Sequence, residues 1–173
     1  MNNKRLLFVL RGVLLVLLVL HLCAIFHFSN EAAPRSDRTS TSFIETLLQA
    51  VSPSFASLSP EQQAQKVQSL QKTVRTLAHM AEFCYLGVLV CALLLSFRLK
   101  LKGLFCGFFG CVLTALGDEA HQLLIPGRTF QWTDIAVDSF GAALGMAALG
   151  LLCLAVVRLR AAHLQKKEKK GTA

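Results

Sequence analysis

The apolar residues of this chain fall into four long blocks instead of alternating with polar residues. The blocks cover residues 6–26, 77–97, 104–125 and 133–157. A helix needs about 20 apolar residues to cross about 30 Å of hydrocarbon, and every block is long enough. The pattern predicts an all-α fold. We expect a bundle of four transmembrane helices in a single domain of residues 1–173, with a helical extracytoplasmic segment between the first two.

Composition supports a membrane protein, because 54% of the residues are hydrophobic and only 16% are charged. Lys4 and Arg5 precede the first block, as they would in a cleaved signal peptide. No A-x-A-like cleavage site follows, and Leu22 stands before Cys23 where a lipoprotein signal needs a small residue. We therefore expect an uncleaved first helix.

The segment of residues 27–76 is polar at its start and amphipathic afterwards. Ser42 and Glu45 form a capping-box pattern ahead of an apolar helical face. Ser59 and Pro60 mark a second helix start that leads into the second span. We expect amphipathic helices on the membrane surface, with a lid over a functional site as the alternative. The apolar face consists of Phe43, Ile44, Leu47, Leu48 and Val51.

The 18 lysines and arginines are concentrated at the N-terminus, in the loop 98–103 and in the tail 158–173. Because positive loops stay in the cytoplasm, both termini and this loop are predicted to lie inside. Residues 27–76 and 126–132 then lie outside, together with all of the ten acidic residues except Glu168. We expect the basic tail to contact anionic lipid and not nucleic acid.

Ionisable residues interrupt three of the four blocks. Charged groups in hydrocarbon cost several kcal/mol each, so they are rarely without function. Glu82 lies roughly 8 Å below the outer end of its helix, and Asp118 and Asp138 lie roughly 9 Å below the outer ends of theirs. Three helices are therefore expected to bring carboxylates to one layer. The ionisable residues of this layer are His79, Glu82, Asp118, Glu119, His121, Asp134 and Asp138.

Helical spacing assigns these residues to faces that should point into the bundle. Arg75 lies on the same face of the second helix as His79 and Glu82. Gln122 lies on the polar face of the third helix. On the fourth helix, Gly141 and Gly145 form a GxxxG contact surface. We expect this surface to pack closely on neighbouring helices, and a homo-oligomer through it is a further expectation.

The layer carries an excess of negative charge, because five carboxylates face only Arg75 and Arg128. Zinc, manganese or iron, protonated carboxylates, a cationic ligand or water would each relieve this excess, and the sequence does not choose among them. No tight metal-binding spacing such as H-E-x-x-H is present. The six cysteines lie within the apolar blocks without a C-x-x-C pair, so we interpret them as packing residues.

Ion pairs between the helices are a structural alternative, for example His79 with Asp118. Such contacts contribute only about 1 kcal/mol each, which is little for burying so many ionisable groups. We therefore favour a functional site.

Four motifs between residues 75 and 145 resemble those of the VanZ-like family of integral membrane proteins, in the same order and at the same spacing. Residues 75–87 resemble the family's R-K-x-A-H-F-x-E-Y-x-x-L-G motif. Residues 118–122 resemble D-E-x-H-Q, residues 126–129 resemble P-G-R-S/T, and residues 134–142 resemble D-x-x-x-D-x-x-G-A. Several motifs in one order are far more specific than any one of them.

The resemblance implies a multi-pass protein of the bacterial cytoplasmic membrane. The family is named for a protein that lowers bacterial susceptibility to teicoplanin, a glycopeptide with an acyl chain. The resemblance further implies that the polar layer binds or modifies an amphiphile of the outer leaflet. This amphiphile would be either a lipid-linked envelope component or the lipoglycopeptide itself. Arg75, Gln122 and Arg128 are the candidate ligand-binding residues. Thr76 and Phe83 depart from the family's Lys and Tyr, so roles of those two side chains do not carry over.

Two other functions fit the same residues. A metal-dependent hydrolase or transferase acting on lipid-linked envelope substrates would use His79 or His121 as general base or ligand, with the carboxylates as acids or ligands. A proton-coupled transport or binding module would instead change the protonation of Glu82, Asp118 and Asp138 with substrate occupancy. The catalytic candidates are the seven ionisable residues of the layer, and the cofactor is left open.

Overall fold

The computed structural model describes residues 3–30, 33–99 and 101–171, and these form five helices without a strand. They are α1 (Asn3–Ser29), α2 (Ala33–Val51), α3 (Pro60–Ser96), α4 (Leu101–Gln122) and α5 (Trp132–Gly171). Glu31, Lys100 and the last two residues of the basic tail lie outside the described residues, as do the side chains of Lys166, Lys169 and Lys170.

Four of the helices, α1, α3, α4 and α5, are long and apolar enough to cross a membrane. The predicted all-α fold with four spans is thus confirmed. The helix α4 ends at Gln122, before the end of its apolar block at Ile125. Pro126 explains the early end, because it cannot continue a helix and disfavours helical geometry in the residue before it. Gly127 then reverses the chain with a φ of 79°.

The two helix starts predicted in residues 27–76 differ in outcome. The Ser59 side chain and Gln62 form a capping box at the start of α3, as expected, with Pro60 in the first turn. Ser42 caps nothing, because α2 begins at Ala33 and contains Ser42 in its middle. Pro34 explains the earlier start, since proline is well accommodated in the first turn of a helix.

The helix α2 packs on α3, and among the described helices α3 is its only partner. Ile44 and Leu48 are buried in a cluster with Phe55 and Val67. The predicted apolar face is therefore divided, because its other three members remain exposed. These members are Phe43, Leu47 and Val51.

Close contact between α3 and α5 organises the bundle. A Cβ atom on Gly141 would collide with the Met80 carbonyl, and one on Gly145 would collide with the Cys84 carbonyl. The GxxxG surface therefore packs within one molecule, as expected for a contact surface. Within the chain, α3 covers both glycines, and the expected homo-oligomer through this face stays a prediction.

The apolar core lies directly beneath the polar residues of α3, α4 and α5. It contains six buried residues from four helices, and all six cysteines of the chain are free. The close α3–α5 contact brings the polar faces of these helices together at the end of the bundle where α4 stops and α5 begins. The core residues are Ile25, Phe83, Leu86, Cys111, Ala115 and Ala142.

Candidate functional site

Two cavities open at this end of the bundle and meet at four residues. The polar cavity has a volume of about 500 Å³, and the apolar cavity has a volume of about 580 Å³. Both are lined by Arg75, His79, Gln122 and Arg128. These four residues come from α3, the end of α4 and the α4–α5 loop, so the site depends on three parts of the chain.

The polar cavity lies between α2, α3, the α4–α5 loop and the start of α5. Its charged lining contains the cations Lys72, Arg75 and Arg128 and the carboxylates Asp37 and Asp134. Much of the remaining lining consists of amide and hydroxyl side chains. These are Gln68, Gln71, Thr76, Gln122, Thr129 and Gln131.

The apolar cavity lies between α1, α2 and α3. Hydrophobic side chains form much of its wall, and Glu82 and Asp118 approach it from α3 and α4. Ser29 also lines it and is only 5% exposed. The Ser29 hydroxyl has no hydrogen-bond partner among the described residues. The hydrophobic lining includes Ile25, Phe28, Phe43, Val74 and Ala78.

His79 connects the cavities to a buried carboxylate. Its Nδ1 atom lies 3.7 Å from Oδ1 of Asp138, which is 0% exposed. His79 also lines both cavities. Neither carboxylate oxygen of Asp138 has a hydrogen-bond partner within the described part of the chain. A buried polar group without a partner costs about 1–3 kcal/mol, so the rest of the fold must compensate for Asp138.

The acidic residues of α4 make different contacts. Asp118 accepts a hydrogen bond from the Gln122 amide at 3.1 Å, and both residues are buried. Glu119 accepts the backbone N–H of Gln131 at 2.8 Å and so fixes the α4–α5 loop to the helix. Asp138 lies within electrostatic range of both these carboxylates and of Asp134. Asp138 of α5 therefore has other carboxylates of the predicted layer nearby.

Two arginines approach the site from different elements. The guanidinium of Arg75 lies 3.3 Å from the Asp37 carboxylate of α2, and the Gln71 amide donates to the Asp37 carbonyl at 3.1 Å. Burial lowers the pKa of Arg128, and the nearby charge of Arg75 lowers it further. A guanidinium stays protonated in proteins, so the site holds two positive charges close enough to repel each other. An anion between them would relieve that repulsion.

His121 is the predicted site residue that lies apart. Its Nε2 atom is 3.0 Å from the Asn30 side-chain oxygen, and its ring meets Phe26 edge-on with centroids 6.0 Å apart. It lines neither of the two cavities. These contacts connect α4 with the end of α1.

Sequence patterns missed Asp37, Ser29 and His21 as parts of the site. The Nε2 atom of His21 lies 2.9 Å from the Glu82 backbone carbonyl, and its ring packs edge-on against Tyr85. Asp37 is far from Arg75 along the chain and stands in a polar stretch without a distinctive motif. Only the packing of α2 on α3 brings it to the site.

Metal binding was left open by the sequence. No three His, Cys, Asp or Glu side chains among the described residues converge as a set of metal ligands. The Asp138–His79 contact therefore lacks a third such ligand in the part of the chain that the structure describes.

The match to known proteins covers both the bundle and this site. The model of the family described as VanZ/LLP1 matches residues 13–154, which include every residue that lines the two cavities. The chain belongs to the VanZ/LLP1 family. The matched region includes the four motifs from which the resemblance was inferred. A search of the curated proteins and a search of the solved structures found no match for this VanZ/LLP1 protein.

Proposed function

We propose that this VanZ/LLP1 protein binds an anionic amphiphile from the outer leaflet of the bacterial cytoplasmic membrane. The head group would occupy the polar cavity and the hydrocarbon chain the apolar cavity. The observation that supports this most directly is that a polar and an apolar cavity share four lining residues, Arg75, His79, Gln122 and Arg128. A molecule with a charged end and an apolar end matches a polar cavity beside an apolar one.

The charged side chains that line the polar cavity favour an anionic head group, because three are cations and two are carboxylates. Arg75 and Arg128 repel each other across the junction, and Lys72 adds a third cation to the polar cavity. Guanidinium groups bind phosphate and carboxylate through paired hydrogen bonds. The Asp37 carboxylate already pairs with the Arg75 guanidinium and neutralises part of this positive charge. An exposed ion pair of this kind contributes at most about 1 kcal/mol, so a ligand can replace it.

The orientation is part of the proposal. Both termini would be cytoplasmic, as the distribution of lysine and arginine predicts, and α2 would lie on the outer surface. The exposed side chains Phe43, Leu47 and Val51 would then contact lipid beside the cavities. An amphiphile could reach the apolar cavity from the outer leaflet without crossing the membrane.

Two kinds of ligand fit this chemistry. One is a lipid-linked component of the cell envelope, and the other is an acylated glycopeptide of the teicoplanin type, which the family resemblance suggests. Capture of either at the outer leaflet would lower susceptibility to such a drug.

Direct binding tests the proposal. The purified protein in phosphatidylcholine nanodiscs should bind decyl phosphate, measured by isothermal titration. Arg75→Ala and Arg128→Ala should each weaken binding by about tenfold, the loss expected for one charge-assisted hydrogen-bonded contact. Arg158→Ala is the matched control, because Arg158 is exposed on the far part of α5. Equal affinity in all four proteins would contradict the proposal.

A cellular test examines whether the protein lowers susceptibility to teicoplanin. A deletion strain would be complemented with the wild type, His79→Ala, Asp118→Asn or Arg128→Ala at matched protein levels, and tested against teicoplanin and vancomycin. We expect the wild type alone to lower susceptibility, and to do so for teicoplanin only, since the acyl chain needs the apolar cavity. Equal rescue by every variant would remove the site from this function.

A hydrolase is the second candidate, and the contact between His79 and Asp138 favours it. A histidine that lies 3.7 Å from a buried carboxylate and borders a cavity with two arginines is a candidate general base beside a phosphate site. Release of phosphate from decyl phosphate by the purified protein, lost in His79→Asn, would support hydrolysis. Binding without release of phosphate from this probe would favour a binding protein.

A further inference from the structure

The polar cavity is larger than an anionic group requires. Its volume is about 500 Å³. A phosphate has five non-hydrogen atoms and would fill only a small part of this space beside Arg75 and Arg128. The rest of the head group must therefore be polar and bulky, if the proposed amphiphile fills the cavity.

The charges of the lining indicate that this remaining part is neutral. Asp37 and Asp134 nearly balance the three cations of the cavity, and Asp37 already pairs with Arg75. One anionic group would bring the five charged side chains and the ligand close to neutrality. A head group with several negative charges would meet these two carboxylates and be repelled.

The uncharged lining is rich in groups that both donate and accept hydrogen bonds. An amide offers two N–H donors and a carbonyl acceptor, and a threonine hydroxyl offers both functions. Sugar hydroxyls likewise both donate and accept, so amides and hydroxyls complement them. The lining groups of this kind are Gln68, Gln71, Thr76, Gln122, Thr129 and Gln131.

The fold holds the side-chain amides of Gln122 and Gln71 in place, and it anchors the backbone of Gln131. Gln122 is buried and donates to Asp118 at 3.1 Å, while Gln71 donates to the Asp37 carbonyl at 3.1 Å. The backbone of Gln131 is anchored to the buried Glu119 carboxylate at 2.8 Å. Positioned polar groups discriminate between ligands better than mobile ones, because less rotamer entropy is lost on binding.

From these observations we infer that the ligand is a glycolipid phosphate, in which a neutral saccharide is joined to the phosphate of the amphiphile. The inference rests on the proposed function, because it assigns the phosphate to the two arginines and the chain to the apolar cavity. It adds that the amides of the polar cavity bind the sugar.

Ligands with one common chain test the inference. Decyl phosphate, decyl glucoside, decyl phosphocholine and the glucosyl decyl phosphodiester would be titrated into the protein in phosphatidylcholine nanodiscs. We expect the glucosyl phosphodiester to bind about tenfold more tightly than decyl phosphate, and decyl glucoside to bind more weakly than either. Affinity equal to that of decyl phosphate, or lower, would overturn the sugar subsite and leave the proposed function intact. Absence of binding by every ligand would overturn both.

Variants locate the sugar contact. Gln68→Leu combined with Gln131→Leu should remove the advantage of the glucosyl phosphodiester while leaving the affinity for decyl phosphate unchanged. Gln65→Leu is the matched control, because Gln65 is an exposed amide of α3 that does not line either cavity. An unchanged preference in the double variant would overturn the inference. So would decyl phosphocholine binding as tightly as the glucosyl phosphodiester, because the lining would then recognise a zwitterion.

Discussion

Single buried acids show most clearly how this site differs from ordinary membrane packing. Asp118 keeps one carboxylate oxygen without a hydrogen-bond partner among the described residues, although Gln122 binds the other. Both carboxylate oxygens of Asp138 lack a hydrogen-bond partner among the same residues. Groups that only stabilise a fold would be expected to have their partners in place. Residues kept at a cost to stability are typical of functional sites.

Replacing Asp138 distinguishes these two roles. We expect Asp138→Asn to leave the stability unchanged or to raise it by about 1 kcal/mol, because an amide of the same size cannot ionise in this buried position. The same variant should change the affinity for decyl phosphate, since Asp138 contacts His79 at the junction of the cavities. Thermal unfolding and titration would measure the two effects. A large loss of stability with unchanged affinity would assign Asp138 to the fold alone.

At the scale of elements, the contact between α3 and α5 sets the geometry of the site. Gly87 lies against the Ala142 carbonyl, and Gly141 and Gly145 lie against carbonyls of α3. Small residues let helix backbones approach closely in a membrane, where dispersion contacts and hydrogen bonds provide the attraction. This approach brings Asp138 of α5 to His79 of α3.

Alanine at these glycines should separate the two helices. We expect Gly141→Ala and Gly145→Ala to destabilise the protein by several kcal/mol, at the upper end of the usual range for a single substitution, because the new Cβ would collide with backbone that cannot move aside. Gly150→Ala on the same helix is the control, since nothing lies within 4 Å of its Cβ position. It should be neutral or stabilise by up to about 1 kcal/mol, because alanine favours helix. Equal stability of all three variants would contradict the packing.

The attachment of α2 should compete with the ligand. Because Asp37 pairs with Arg75, we expect Asp37→Asn to raise the affinity for decyl phosphate severalfold by leaving the guanidinium available to the anion. Glu45→Gln removes the same charge from an exposed position of α2 and should have little effect. Titration would compare the two variants. Weaker binding in Asp37→Asn would indicate that Asp37 assists the ligand instead of competing with it.

At the scale of the whole molecule, the two cavities lie towards the same end of the bundle. The polar cavity and the α2–α3 connection lie at one end of the bundle, and the basic residues of the long α5 extend from the other. The chain carries a net charge of +8, and its excess of lysine and arginine predicts which end faces the cytoplasm.

Orientation can be measured in cells. A fluorescent protein fused after residue 173 should fold and fluoresce in the cytoplasm. Ser57→Cys, in the connection between α2 and α3, should react with a membrane-impermeant maleimide added to intact cells, while the unaltered chain gives the background from its own cysteines. Labelling of Ser57→Cys only after cell lysis would reverse the proposed topology and direct the cavities inwards.

The sequence alone determined the class of protein, its four spans, the capping box that starts α3 and the family. Apolar blocks of spanning length and residues at fixed short spacings are local properties, and they do not depend on which helices meet. The sequence also predicted one depth for the acids, because the rise along a helix is constant.

Tertiary structure decided which of these residues share a site. It turned Gly141 and Gly145 towards α3 of the same chain, connected His121 to Asn30, and brought Asp37 of α2 to Arg75. Each of these contacts joins residues far apart in the chain, so no local pattern encodes it. The division into a polar and an apolar cavity exists only because five helices and a loop close around the same space.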